Sequence, residues 1–118
     1  MKINNKNKIL ICANSSWNIF NFRYNLVKAL INNNFEVLIL SPHDEYSEKL
    51  INIGCKFHEI NFNKSNIGLI NNLLLIYKYF TIIKKLKPDL ILAYTIKPNI
   101  FVSIISKFLK IRIYNIIT

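Results

Sequence analysis

Apolar residues in this chain fall into two textures: short, nearly unbroken runs, and longer stretches in which they recur every three or four positions. Five runs read as strands: K-I-L-I-C-A at 8–13, F-E-V-L-I-L at 35–40, K-F-H-E-I at 56–60, D-L-I-L-A-Y at 89–94 and R-I-Y-N-I-I at 112–117. The first, second and fourth are almost continuously apolar, as parallel strands covered on both faces must be. Four helical patterns lie between them. The first spans roughly Phe20 to Asn33, with Phe22, Leu26 and Leu30 at i, i+4 and i+8 as its buried stripe. The second opens at Ser41-Pro42-His43-Asp44, where Ser41 can cap, Pro42 can take the first helical position and Asp44 can return the bond; it closes at Gly54, which tolerates a left-handed stop. The third runs from about Leu69 to Lys87 with Pro88 just beyond, and the fourth from Pro98 to about Lys110, burying Phe101, Ile105 and Phe108.

Strands alternating with helices through short connections imply right-handed crossovers and a parallel sheet. The expected fold is a Rossmann-like α/β doubly wound sheet of about five strands, order 3-2-1-4-5, with helices on both faces. Ligands should then gather at the carboxyl ends of the first and fourth strands. No repeat or flexible linker interrupts the 118 residues, so 1–118 read as one domain.

The third helix carries more apolar surface than one sheet needs. Leu69, Ile70, Leu73, Leu74, Leu75, Ile76, Tyr77, Tyr79, Phe80, Ile82 and Ile83 overfill a stripe about 100° wide, and Lys78, Lys84, Lys85 and Lys87 stand among them. That combination suits a helix lying at an anionic interface, or one that meets another protein domain. The same lysines make the region a poor spanning helix, and Ile9 to Ala13 is too short for the centre of a signal peptide. The expected location is cytoplasmic, peripheral on the cytoplasmic face of the inner membrane.

Charge and cysteine content narrow the chemistry. Sixteen Lys and Arg face six acids, a net charge of +10 that suits anionic partners, although an Ile-, Asn- and Lys-rich composition is also what an AT-rich coding sequence favours. Arg residues do not cluster and no nucleic-acid motif occurs, so nucleic acid is not expected as a partner. Cys12 and Cys55 read as small buried hydrophobes, and in the expected strand order they stand about 10 Å apart, two strand spacings, beyond disulfide reach. With His43 and His58 they form no ligand cluster, so no metal is expected.

The first strand–helix turn, A-N-S-S-W-N-I-F-N-F-R at 13–23, has no glycine to let a pyrophosphate reach the helix amides, and strand two ends on Ser41-Pro42 where a ribose-binding acid would stand. A dinucleotide cofactor is therefore not expected. Two polar loops remain at the switch point: Asn14, Ser15, Ser16 and Trp17 leading to Arg23, and Tyr94, Thr95, Lys97 and Asn99. Arg23 and Lys97 each lie near a helix start, where the positive dipole end disfavours a cation and an anionic partner such as a phosphate restores the balance; the alternatives are an Arg23 that meets solvent or Asp44, and a solvated Lys97. Trp17 reads by default as a large aromatic capping the core, with a sugar-stacking platform as the alternative.

The ordered set N-S-S-W-x-x-x-N-F-R, S-P-x-D-E-Y-S-E-K-L, G-C-K-F, K-P-D-L-I-L-A-Y-T-I-K-P-N and Y-N-I-I-T, from Lys8 onward, resembles the amino-terminal domain of family-4-like glycosyltransferases of the two-Rossmann-domain GT-B architecture. The likeness is to bacterial members that build capsule, O-antigen or N-glycan precursor sugars on a polyprenyl diphosphate. It implies a retaining sugar transfer from a nucleotide sugar to a polyprenyl-diphosphate-linked glycan, with the donor diphosphate stabilised electrostatically. It further implies acceptor-binding roles for Asn14, Ser15, Ser16, Arg23, Thr95, Lys97 and Asn99. Tyr94 departs from the His found in many relatives, so no role carries over to it. In the family a Gly-rich loop and a donor-binding domain follow; this chain stops at Thr118, so the resemblance implies an acceptor-side half, inactive alone. The alternative is a non-catalytic, membrane-associated subunit that recruits a separate catalytic chain.

Overall fold

The computed structural model describes residues 7–60, 69–94 and 96–116, the side chains of 69–72, 96–99 and 115–116 excepted. In chain order the elements are β1 (Lys8–Cys12), α1 (Ser16–Phe22), α2 (Tyr24–Asn32), β2 (Glu36–Ser41), α3 (Glu45–Asn52), β3 (Lys56–Glu59), α4 (Leu69–Leu86), β4 (Leu90–Tyr94), α5 (Ile96–Leu109) and β5 (Arg112–Ile116). The five strands form one sheet in the order β3-β2-β1-β4-β5, and every pairing is parallel. Central β1 sets Ile11 against Ile39 of β2 on one side and Leu92 of β4 on the other.

Alternation along the strands divides the core in two. Leu10, Cys12, Leu38, Leu40 and Ile91 face α4 and α5, meeting Tyr79, Ile83, Val102 and Ile105. Ile9, Ile11, Val37, Ile39 and Tyr94 face α1, α2 and α3, meeting Ile19, Val27 and Leu50. Both faces of the central strands are thus covered, which is why their sequences are continuously apolar.

The helix expected over 20–33 is instead two helices broken at Arg23, whose φ of −127° and ψ of 16° leave the helical range. Its buried stripe also differs from the expected one. Phe22 and Leu26 are exposed, while Ile19 and Val27 are fully buried. Ile19, Arg23 and Val27 are spaced i, i+4 and i+8, so the sheet-facing row has a cation at its centre.

The second helix begins later than expected. β2 runs through Ser41, held by pairing with Glu59 of β3, and Asp44 is the true cap. The Asp44 carboxylate accepts from the Tyr46 N–H at 2.8 Å, and Ser47 Oγ accepts from the Asp44 N–H at 3.0 Å. Gly54 follows the helix at φ 116°, as its left-handed role requires. In α5 the buried row is Phe101, Val102, Ile105 and Ser106, and Phe108, expected inside, is 77% exposed beyond its rim. Both cysteines are buried and free.

Candidate functional site

β1 and β4 are neighbours, Cys12 opposite Ala93, yet the chain leaves β1 for the α1–α3 face and β4 for the α4–α5 face. This divergence is the switch point, and it brings the loop at Asn14 beside the end of Tyr94. Asn14 is exposed there. Ser15 is the N-cap of α1, its Oγ accepting from the Asn18 N–H at 3.1 Å. Ser16, expected to meet a ligand, is fully buried: its hydroxyl lies 2.9 Å from Ser41 Oγ and 2.8 Å from Ser47 Oγ. The three hydroxyls tie the start of α1 to the end of β2 and to α3. Ser16 therefore shapes the loop from beneath. Thr95 lies outside the described residues. Lys97 and Asn99 lie in the first turn of α5, with their side chains outside the described residues.

Asp44 has both oxygens engaged, Oδ1 with the Tyr46 N–H and Oδ2 with the Trp17 N–H at 3.0 Å. It clamps the starts of α1 and α3 together. Trp17 is about half exposed and meets Phe22 edge-to-face at 5.5 Å, beside the mouth of the site.

Arg23 turns elsewhere. Its guanidinium carbon lies 4.7 Å from the centroid of the Tyr94 ring, a cation–π contact. Arg23 Nε and the Tyr94 hydroxyl are both buried without a hydrogen-bond partner. The two side chains line a cavity of about 320 Å³ with Asn21, Phe22 and the first turn of α2, Tyr24 to Leu26, and no carboxylate lines it. No side chain caps that first turn. Burial pushes the Tyr94 phenol above its ordinary pKa, and the Arg23 charge pulls it partly back. The pair was legible in sequence only as two polar positions 71 residues apart; the parallel pairing of β1 with β4 brings them together. Among the described residues no group of His, Cys, Asp and Glu is placed to hold a metal ion.

A parallel 3-2-1-4-5 sheet covered by helices on both faces defines a Rossmann-like domain, and the cavity lined by Arg23 and Tyr94 lies at the carboxyl end of its β4. Residues 8–117 match the model of the Glycosyl transferase 4-like family, and the chain belongs to that family. The N,N'-diacetylbacillosaminyl-diphospho-undecaprenol alpha-1,3-N-acetylgalactosaminyltransferase of Campylobacter jejuni is 28% identical over 104 residues, which are 88% of this chain and 28% of that protein. The chain thus spans less than a third of the curated relative it matches. A glycosyltransferase from Rickettsia africae superposes with a TM-score of 0.74 at 19% identity, over 94% of this chain and 29% of that one. Acinetobacter baumannii MurG superposes with a TM-score of 0.70 at 15% identity, over 96% and 34% respectively. At such identities the two structures speak for the fold alone, the Rossmann-like fold of GT-B glycosyltransferases.

Proposed function

We propose that these residues are the acceptor-side domain of a glycosyltransferase that moves a sugar from a nucleotide sugar to a polyprenyl-diphosphate-linked glycan. The nucleotide sugar is held by a donor-binding domain outside these residues, and the chain rests on the cytoplasmic face of the membrane that carries its acceptor. Asn14 and Ser15, with Arg23, Thr95, Lys97 and Asn99 across the switch point, form the acceptor side of the cleft.

The observation that carries this reading is the two-sided character of α4. Leu75, Tyr79 and Ile83 bury one row against the sheet, while Leu73, Leu74 and Tyr77 stand more than half exposed on the other side. Lys78, Lys84 and Lys85 are exposed on the same helix. Apolar residues flanked by lysines are what a helix needs to lie in an anionic lipid interface, the apolar groups entering the acyl boundary while the ammonium groups meet phosphate. No described helix is long and apolar enough to cross a membrane. The diphospho-undecaprenol acceptor in the name of the Campylobacter relative supports the same placement.

Vesicle flotation tests it. Binding should rise with the fraction of anionic lipid and fall when Lys78, Lys84, Lys85 and Lys87 are changed to Gln. Indifference to both would overturn the membrane placement and leave the exposed side of α4 as a contact with another protein domain.

A further inference from the structure

Arg23 is costly where it stands. It occupies the central position of the sheet-facing row formed with Ile19 and Val27, both fully buried, and its Nε is cut off from water without a partner. Buried polar groups are almost always hydrogen-bonded, and an orphan of this kind calls for an occupant. Below the guanidinium lies the Tyr94 ring, whose own hydroxyl is a second buried orphan. A guanidinium resting on an aromatic face has its in-plane N–H fork free, the edge that binds an oxyanion in two parallel bonds. The cavity that Arg23 and Tyr94 line is also lined by the uncapped first turn of α2, where backbone amides and the helix dipole favour negative charge.

We propose that the Arg23–Tyr94 cavity is a seat for one phosphate of a diphosphate ester, with Arg23 as the binding residue and Tyr94 as the residue that positions its guanidinium. The seat follows from the geometry alone. Its assignment to the lipid-linked acceptor, and not to a nucleotide diphosphate, rests on the acceptor-side reading above.

Titration calorimetry of the purified chain with inorganic pyrophosphate tests the seat. Wild type should bind saturably, and Arg23→Gln should weaken binding by about ten- to a hundredfold, the worth of a charge-assisted hydrogen bond. Arg23→Lys, which keeps the charge and loses the fork, should recover only part of the loss. Tyr94→Phe keeps the ring beneath the guanidinium and should bind better than Tyr94→Leu, with thermal melts confirming that each variant folds. Equal affinity of wild type and Arg23→Gln would overturn the seat; equal affinity of folded Tyr94→Leu and wild type would overturn the positioning role. Displacement of pyrophosphate then separates the sources. Farnesyl diphosphate displacing it better than UDP supports the acceptor assignment, and the reverse order overturns that assignment. Neither arm requires vesicles or sugar transfer, so a failed seat and a failed membrane placement register separately.

Discussion

The Arg23 guanidinium stacks on the ring of Tyr94, 4.7 Å from its centroid, and joins the break between two helices to the carboxyl end of a strand 71 residues away. The contact spans the crossover that defines the Rossmann switch point, so the fold itself brings a cation and a phenol to the place where a ligand is expected. It also leaves two buried donors idle, a local cost that an apolar side chain would not incur.

Stability should therefore rise when Arg23 is removed in favour of a hydrocarbon. Arg23→Leu fills the row between Ile19 and Val27 without an unpartnered polar group, and a gain of about 1 kcal/mol is expected. Chemical denaturation checks it. A loss of more than about 1 kcal/mol would show that the cation–π contact outweighs the desolvation of Nε.

The serine cluster predicts the opposite sign. Ser47 Oγ serves both Ser16 Oγ at 2.8 Å and the Asp44 N–H at 3.0 Å, so Ser47→Ala leaves the buried Ser16 hydroxyl with Ser41 as its one hydroxyl partner and removes half of a capping box. The expected cost is about 1–3 kcal/mol. Arg23 is not part of that cluster, so pyrophosphate affinity measured on the folded variant should stay near the wild-type value.

Much of this architecture was legible in the sequence, and the exceptions share a cause. β1, β2 and β4 follow from nearly unbroken apolar runs, because burial on both faces leaves no room for polar residues; β3 and β5, at the sheet edges, carry polar residues, and the order follows from short right-handed connections. The first helix differs because apolar spacing alone picks the Phe22–Leu26–Leu30 row, whereas the sheet-facing row is Ile19, Arg23 and Val27, with a cation where spacing looks for an apolar residue. Ser16 looked like a ligand contact because its partners lie 25 and 31 residues away, a pairing that no local pattern reveals. Ser41 and Asp44 compete as caps in one short segment, and sheet pairing with β3 decides for Asp44. Phe108 shows the limit of apolar spacing, since a large aromatic near the stripe still stands exposed. The other half of the anion seat, Tyr94, was named among the loop residues but had no role to inherit.

Thiol chemistry should be silent in the native state. Burial pushes Cys55 up to about 12 and Cys12 further still, so near neutral pH the reactive thiolate is scarcely populated in either. Both should resist a disulfide reagent such as DTNB at pH 8 and react promptly in denaturant. Rapid native labelling of two thiols would contradict the buried positions on β1 and before β3.

The outer side of α4 should be separable from the fold. Leu73 and Tyr77 are 55% and 65% exposed, so Leu73→Ser with Tyr77→Ser should change stability by no more than about 0.5 kcal/mol, as ordinary surface substitutions do. The same pair should lower vesicle binding by about tenfold, since the two side chains withdrawn from the interface together forfeit part of the roughly 1.5–3 kcal/mol that full apolar burial of each would supply. Flotation alongside thermal melts reads both quantities.

Acceptor binding by this domain is read by flotation on matched anionic vesicles with and without a small fraction of undecaprenyl-diphosphate-linked glycan. Binding should be tighter to the vesicles that carry the acceptor, and Arg23→Gln should abolish the difference. Equal binding to the two vesicle populations would contradict it.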